Sequence, residues 1–300
     1  MTFDCFKRKW VEAFTPWKRE PKEAQYREKE IFECSGTIIE SVESYSVILT
    51  SASLFRCSSS GNSIVDNIKV IVHLFDGRSF EGQIESNDLH YNVVAVKIQS
   101  DTPLPIASLA HLSYSITIDS SQLRIIALGR FYAKPYDITA APGEFWLVFS
   151  FDFYFIAYLI VTIDRCEDDF ECKELLKATC NIMRCGMGGP LINRYGEVIG
   201  ICFYDPGSIA FLPINIASIW WEHYKKYRQS HRPWLGMEVT NLYAARLRIL
   251  EILIISKFPD VLKGVIVEEV PPDSSAGIKH NDVIIQFGGK RIQSFLEDAN

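Results

Sequence analysis

The 300-residue sequence has no excess of positive charge, and this absence excludes one class of partner. It carries 31 lysines and arginines against 37 aspartates and glutamates, which gives a formal net charge of −6. Proteins that bind nucleic acid through phosphate contacts need a basic surface or stripe. We therefore expect no nucleic-acid partner.

The first ten residues lack the uninterrupted apolar run of a secretory signal. Asp4, Lys7, Arg8 and Lys9 lie among the apolar side chains of this stretch. A signal peptide instead places a continuous apolar region after a short basic start. This pattern favours an intracellular location, and the sequence leaves the compartment otherwise unknown.

The eight cysteines lack the paired C-x-x-C spacing of common zinc sites. Without a secretory signal, reduced and mostly buried thiols are the simplest interpretation, and a metal site or a redox pair is the alternative. We expect no metal and no cofactor. The cysteines are Cys5, Cys34, Cys57, Cys166, Cys172, Cys180, Cys185 and Cys202.

The composition is that of a folded, water-soluble protein. Hydrophobic residues make up 48% of the chain and charged residues 23%, whereas disordered chains are poorer in apolar residues. The length is large for a single core and fits two or three small domains.

The most distinctive stretch is Cys185–Leu191, with the sequence C-G-M-G-G-P-L. Two adjacent glycines and a proline predict a tight turn. The stretch resembles G-N-S-G-G-P-L, the nucleophile loop of trypsin-like serine proteases and especially of the HtrA/Deg family. The resemblance places Met187 at the position of the catalytic serine. A thioether has no proton to lose and cannot be acylated, so this position cannot supply a nucleophile.

Two further motifs of the same family occur in order along the chain. Ile48–Leu54 resembles I-L-T-N-A-H-V, which places Ser53 at the position of the catalytic histidine. Asn92–Ile98 resembles D-L-A-V-L-K-I, which places Asn92 at the position of the aspartate. The resemblance thus implies a degenerate triad at Ser53, Asn92 and Met187, with no position able to perform its usual role.

The resemblance also places an oxyanion loop at Cys185, Gly186 and Met187, whose backbone amides would hold a negatively charged oxygen. The family has glycine where this chain has Cys185. The Cβ atom of a cysteine disfavours positive φ, so we expect the loop to depart from the active geometry.

The fold class expected is mainly β. Short alternating segments such as Ile68–Phe75, followed by the turn Asp76–Gly77, predict antiparallel hairpins, and the resemblance implies a trypsin-like double six-stranded β-barrel followed by a truncated PDZ-like domain. The expected parts are a charged N-terminal extension (1–33), a first barrel (34–117), a second barrel with a C-terminal helix (118–230) and an incomplete PDZ-like domain (231–300).

The nineteen residues 145–163 are nearly all apolar, with Asp152 inside the run. Aromatic and β-branched residues favour two buried strands. The length also suits a membrane span, which an aspartate near the centre disfavours. An insertion foreign to the family is the third interpretation.

The C-terminal part carries PDZ-like motifs. Trp234, Leu235, Gly236 and Met237 resemble the loop that holds a peptide carboxylate through backbone amides. Because the family's groove-lining helix would follow Asn300, we expect an incomplete groove that leaves apolar residues such as Ile266 and Ile284 uncovered.

Three functions remain open at this point. The favoured one is a non-catalytic HtrA-like pseudoprotease that binds or scaffolds, because all three triad positions lack their chemical group. The others are an active serine-type endopeptidase with a rearranged site, with Cys185 as nucleophile or a histidine as base, and a PDZ peptide-binding adaptor. The resemblance implies unfolded or C-terminal peptide segments as partners and a homotrimer. The candidate bases are His73, His90, His111, His223, His231 and His280.

Overall fold

The computed structural model describes most of the chain in separate ranges. For residues 3–11, 28–32, 147–151, 159–163 and 204–205 it describes the backbone alone. The described residues are 3–11, 28–56, 64, 68–110, 124–131, 136–145, 147–151, 159–163, 172, 174–205, 208–228, 237–242, 245, 249, 264–270 and 277–292.

Six antiparallel strands form a closed barrel in the N-terminal half, in the order β1-β2-β3-β6-β5-β4, with β4 paired back to β1. Side chains that alternate along these strands, such as Val70, Val72, Val94 and Val96, point inward and form one buried cluster. The strands are β1 (Phe3–Val11), β2 (Glu28–Ser41), β3 (Tyr45–Ser51), β4 (Lys69–His73), β5 (Ser79–Asp88) and β6 (Val93–Gln99).

The first strand corrects the expectation of an N-terminal extension over 1–33. β1 pairs with β2 on one side and with β4 on the other, so it is the strand that closes the barrel. Its sequence, FDCFKRKWV, does not alternate between apolar and polar residues. The period-2 signal by which a barrel strand is recognised in a sequence is therefore missing.

A second six-stranded sheet has the order β11-β14-β13-β12-β7-β8. Its two edge strands approach each other at a bridge between Phe145 and Ala178, and the Thr179 amide donates to the Glu144 carbonyl at 2.9 Å. The sheet therefore curls towards closure, and the mainly β, trypsin-like double-barrel fold is confirmed. The strands of this part of the chain are β7 (Arg124–Arg130), β8 (Ile138–Glu144), β9 (Leu147–Phe151), β10 (Leu159–Ile163), β11 (Leu176–Ala178), β12 (Pro190–Asn193), β13 (Val198–Asp205) and β14 (Ser208–Pro213). Of these, β9 and β10 lie outside the six-stranded sheet.

The apolar run 145–163 contains strands, as its residue types favour. β9 and β10 form a separate antiparallel pair in which Leu147 lies opposite Ile163. Among the helices in the described ranges, none combines the length and apolar character that crossing a bilayer requires.

One helix, α1 (Ile214–Tyr227), follows the second sheet and lies at the C-terminal end of the range 118–230, where a helix is expected. Its buried face includes Trp220 and Trp221. Glu40 of the first barrel accepts hydrogen bonds from Trp221 Nε1 and Lys225 Nζ, both at 3.2 Å. The helix therefore ties the end of the second barrel to the first one.

The C-terminal part contains a three-stranded antiparallel sheet, β15-β16-β17, and a two-stranded one, β18-β19. Of the proposed carboxylate loop, residues 234–236 lie outside the described residues, and Met237 is half-buried. The PDZ assignment therefore stays a prediction. The strands are β15 (Glu238–Asn241), β16 (Val265–Glu269), β17 (Val283–Ile284), β18 (Gln286–Phe287) and β19 (Lys290–Arg291).

The expected uncovered face of this part needs correction at two positions. Ile266 is only 1% exposed, because it packs against Leu242 and Ala245. Ile284 is half-buried and packs against the large core shared by the two barrels and α1. Among the residues of this part that the structure describes, Ile285 and Phe287 are large apolar side chains exposed to solvent.

Candidate active site

Ser53 and Asn92 come together at one end of the first barrel. Ser53 lies in a 3-10 turn, Ala52–Leu54, that directly follows β3, and Asn92 directly precedes β6. The Ser53 hydroxyl donates to Asn92 Oδ1 at 3.0 Å, although the two residues are 39 positions apart. This contact joins the two side chains that the resemblance places at the histidine and aspartate positions.

The backbone holds this pair in place. The Ala52 amide donates to the Asn92 carbonyl at 2.9 Å, and the Ser51 hydroxyl accepts from the Ser53 amide at 3.2 Å. Asn92 has a φ of +53°, in the left-handed region that asparagine and aspartate tolerate better than most residues. The backbone at residue 92 can therefore carry either an asparagine or an aspartate.

The chemistry of the pair differs from that of a histidine and an aspartate. A serine hydroxyl and an asparagine amide are both neutral, and neither accepts a proton at neutral pH. The Ser53–Asn92 pair can hold a hydrogen bond, but it cannot take a proton from a nucleophile.

The nucleophile loop follows a 3-10 turn, Arg184–Gly186, and is held from both barrels. The Met187 amide donates to the Arg184 carbonyl at 3.1 Å, and the Met187 carbonyl accepts from the Ser35 amide at 2.7 Å. The Gly188 amide donates to the Cys202 carbonyl at 2.8 Å. The Met187 amide, which the resemblance places among the oxyanion donors, is thus already engaged within its own turn.

The Met187 side chain packs into the protein interior. It is 9% exposed and belongs to the same buried cluster as Leu54 and Phe55, which directly follow Ser53 in the chain. An unbranched thioether fills irregular core space well. At this position the side chain therefore adds to the core of the first barrel.

Ser35 joins the loop to both barrels, and no sequence motif pointed to it. Its hydroxyl donates to the Cys185 carbonyl at 2.6 Å and accepts from the Arg130 amide of β7 at 2.9 Å. Its carbonyl accepts from the Thr50 hydroxyl at 2.6 Å. Because Ser35 is fully buried, this network rigidifies the loop by satisfying polar groups that water cannot reach.

Cys185, the alternative nucleophile, is a buried thiol. Burial raises its pKa, against an opposing hydrogen bond with Thr139. Burial also raises the pKa of Cys34 to about 12 and that of Cys180 to about 11. The thiolate is the reactive form of cysteine, so these environments favour inert thiols. The cysteines whose side chains the structure describes are buried, as the sequence predicts: Cys34, Cys172, Cys180, Cys185 and Cys202.

The described histidines lie in four different settings. His73 Nδ1 is 2.7 Å from the Ser79 hydroxyl, and the His223 ring packs on a neighbouring tyrosine of α1. His90 Nε2 is 3.3 Å from Glu174 Oε2, and His280 Nδ1 is 2.6 Å from the Glu268 carbonyl. The remaining two, His111 and His231, lie outside the described residues.

Comparison with known proteins agrees with this geometry. The model of the trypsin-like peptidase domain family matches residues 34–201. Do-like protease 14 of Arabidopsis thaliana is 33% identical over 288 residues, which cover 88% of this chain and 58% of that protein. The periplasmic serine endoprotease DegP of Salmonella typhimurium is 27% identical over 277 residues, which cover 87% of this chain and 49% of that protein.

The periplasmic pH-dependent serine endoprotease DegQ of Escherichia coli is 26% identical over 242 residues, which cover 76% of this chain and 47% of that protein. The chain thus spans about half the length of the curated relatives it matches. The family match spans most of the first barrel and most of the second sheet, and it includes the Ser53–Asn92 pair and the Met187 loop. The chain belongs to the trypsin-like peptidase domain family and, within it, to the HtrA/Deg group of Do-like serine proteases.

Proposed function

We propose that this chain is a catalytically inactive HtrA/Deg homologue that acts by binding other proteins and not by cleaving them. The observation that carries the proposal is the hydrogen bond of 3.0 Å from Ser53 to Asn92. It occupies the place where the family's histidine and aspartate meet, and it contains no group that can act as a general base.

The loop opposite this pair supports the same conclusion. Met187 has no nucleophilic atom that could be acylated, its side chain is buried, and its amide donates to Arg184. Triad residues act as a unit, and removing the nucleophile alone costs on the order of 10⁶ in kcat. Substitutions at all three positions therefore leave hydrolysis no faster than background.

A rearranged active site is the competing function. It needs a thiolate at Cys185 or a histidine beside the loop. The thiol of Cys185 is buried with a raised pKa, which disfavours the thiolate. His90 is two residues from Asn92, but its Nε2 lies beside Glu174. These contacts favour the non-catalytic function.

The binding partners that we propose follow from family membership. The named relatives are serine endoproteases, so a homologue that keeps their scaffold without the chemistry retains a surface suited to polypeptide segments. Unfolded or C-terminal peptide segments are the proposed ligands, and a homotrimer is the proposed assembly. The PDZ-like adaptor role of residues 231–300 belongs to the same proposal.

Active-site labelling tests the absence of catalysis. We expect intact-mass spectra of the native chain to show no adduct after treatment with a fluorophosphonate, because no serine is activated by a base. Iodoacetamide is expected to modify Cys185 in denaturant but to leave it unmodified in the native protein. Active DegP, labelled in parallel, serves as the positive control.

Two outcomes would contradict the proposal. A stoichiometric fluorophosphonate adduct on the native chain would reveal an activated serine elsewhere in the fold. Alkylation of native Cys185 at the rate of a free exposed thiol would instead support a cysteine nucleophile.

A further inference from the structure

Three side chains that differ in chemistry meet at the boundary between the barrels. His90 Nε2 and Cys172 Sγ each lie 3.3 Å from the same carboxylate oxygen, Glu174 Oε2. The nitrogen, the sulfur and the oxygen all lie within 4.8 Å of one another. We call these residues the His90–Cys172–Glu174 cluster, and we propose that it binds one zinc ion.

The separations suit tetrahedral zinc. Zinc binds histidine nitrogen and carboxylate oxygen at about 2.1 Å and thiolate sulfur at about 2.3 Å, so tetrahedral ligand atoms lie roughly 3.4–3.6 Å apart. The two separations of 3.3 Å are within about 0.3 Å of these values. The third separation, from His90 Nε2 to Cys172 Sγ, is at most 4.8 Å, so an ion placed among the three atoms needs these two side chains to approach each other by roughly 1 Å at most.

The donor types favour zinc over harder cations. A thiolate and an imidazole select zinc among the common divalent ions, whereas calcium and magnesium prefer sites made of oxygen alone. Cys172 and Glu174 are 2% and 3% exposed. Once Cys172 has released its thiol proton, the thiolate and the Glu174 carboxylate are two buried anions, and one divalent cation balances their charge.

The surrounding contacts hold the ligands in position. The Asp88 carboxylate accepts from the backbone amides of His90 and Tyr91, both at 2.9 Å, which fixes the turn that carries the imidazole. Asn241 Nδ2 donates to Glu174 Oε1 at 3.2 Å, so that Glu174 Oε2 faces the other two ligands. Hydrogen bonds of this kind orient metal ligands in known sites.

The cluster also joins parts of the chain that are distant in sequence. His90 follows β5 of the first barrel, and Cys172 and Glu174 precede β11 of the second sheet. Asn241 lies at the end of β15 in the C-terminal part. A bound zinc ion would thus fasten the two barrels directly and the C-terminal sheet through Asn241. Binding requires that Cys172 releases its thiol proton to solvent and that His90 presents an unprotonated Nε2.

Metal analysis of the full chain tests the proposal. We expect the purified protein to retain about one zinc ion per chain after dialysis, as typical for a single site. After removal of the metal with a chelator, added zinc at about 100 times its Kd is expected to raise Tm by about 5 °C. Cobalt is the spectroscopic probe, because a thiolate ligand gives a charge-transfer band in the near ultraviolet.

Matched variants identify the ligands. His90→Gln and Cys172→Ser are each expected to weaken zinc binding by at least about 100-fold, because removing a ligand costs more than removing one of its outer partners. Two control variants alter a histidine and a buried cysteine outside the cluster: His280→Gln and Cys180→Ala. Both are expected to bind zinc as tightly as the wild type does.

The proposal fails if zinc leaves the Tm of the wild type unchanged, or if cobalt gives no thiolate band. It also fails if His90→Gln and Cys172→Ser retain zinc as tightly as the wild type. The Tm and cobalt measurements use the wild-type protein, so they test zinc binding even if both ligand variants are unstable. These results are independent of proteolysis, so they separate the zinc site from the proposed function.

Discussion

The variant Met187→Ser is expected to degrade unfolded casein no faster than the wild type, about 10⁶-fold below an intact triad. The new hydroxyl would lie on the nucleophile loop, but the residue that the resemblance assigns to the base position, Ser53, has no imidazole to take its proton. The Ser53 hydroxyl itself donates to Asn92 Oδ1. The measurement is the initial rate of casein degradation, and robust hydrolysis by this single variant would contradict our assignment of the base position.

Combining the reversions is expected to restore weak activity at most. Ser53→His and Asn92→Asp replace a pair that is already in contact, and the φ of +53° at Asn92 is one that aspartate tolerates. Cys185→Gly frees the loop of a Cβ, and Met187→Ser supplies the nucleophile. The last change also removes a buried side chain from the core, which costs about 2–5 kcal/mol in comparable truncations.

A matched control separates chemistry from folding in this series. The control variant keeps the other three substitutions but carries Ser53→Ala instead of Ser53→His. It therefore has the same core truncation but no base. We expect it to remain at background while the histidine version rises above it. Equal rates for both would mean that residue 53 does not act as the base position.

The substitution Gly188→Ala is expected to destabilise the fold by about 3–5 kcal/mol. This loss combines the strain of a left-handed backbone at a residue with a Cβ and the overpacking caused by that Cβ. Gly188 has a φ of +71°, and a Cβ there would lie 2.1 Å from Thr50 Oγ1, 2.5 Å from the Ser35 carbonyl and 2.8 Å from the Ser51 amide. Two of these atoms are barrel backbone, so the clash cannot be relieved by rotating a side chain. Thermal and urea unfolding measure the effect, with a Tm expected to fall by about 10 °C.

Gly77→Ala is the matched control for backbone strain. Gly77 also has a positive φ, +87°, but nothing lies within 4 Å of the position that a Cβ would take. We expect a loss of about 1–2 kcal/mol from strain alone. If both glycine variants unfolded at the same midpoint, the close contact of the loop with the first barrel would be refuted.

The local motifs predicted much of the fold and of the candidate site. Alternating segments in 68–99 became β4 to β6, and the helical spacing after residue 214 became α1. The motif comparison placed Ser53 and Asn92 at partner positions, and the structure brings them within a hydrogen bond. These features depend on short-range patterns, which a single sequence displays directly.

Features that depend on long-range packing were missed. The strand character of Phe3–Val11 comes from pairing with β2 and β4 and leaves no alternation in its sequence. Ile266 was expected to be uncovered, but Leu242 and Ala245 cover it. Burial of this kind is decided by residues that fold back from elsewhere in the chain, so no local window reveals it.

Polar contacts between distant residues were missed for the same reason. The hydrogen bonds of Ser35 reach Arg130 and Cys185, and His90 meets Glu174 across 84 positions. Cysteine spacing argued against a metal site because it is a test for ligands close together in sequence. The proposed zinc site would take its ligands from two barrels, so it would have no such spacing.

The most direct test of the central claim is the turnover of unfolded casein by the purified wild-type chain. We predict a folded protein with no cleavage that a serine- or cysteine-protease inhibitor can suppress, because Ser53 is not a base and Met187 is not a nucleophile. Inhibitor-sensitive turnover that stays with the protein through successive purification steps would contradict it.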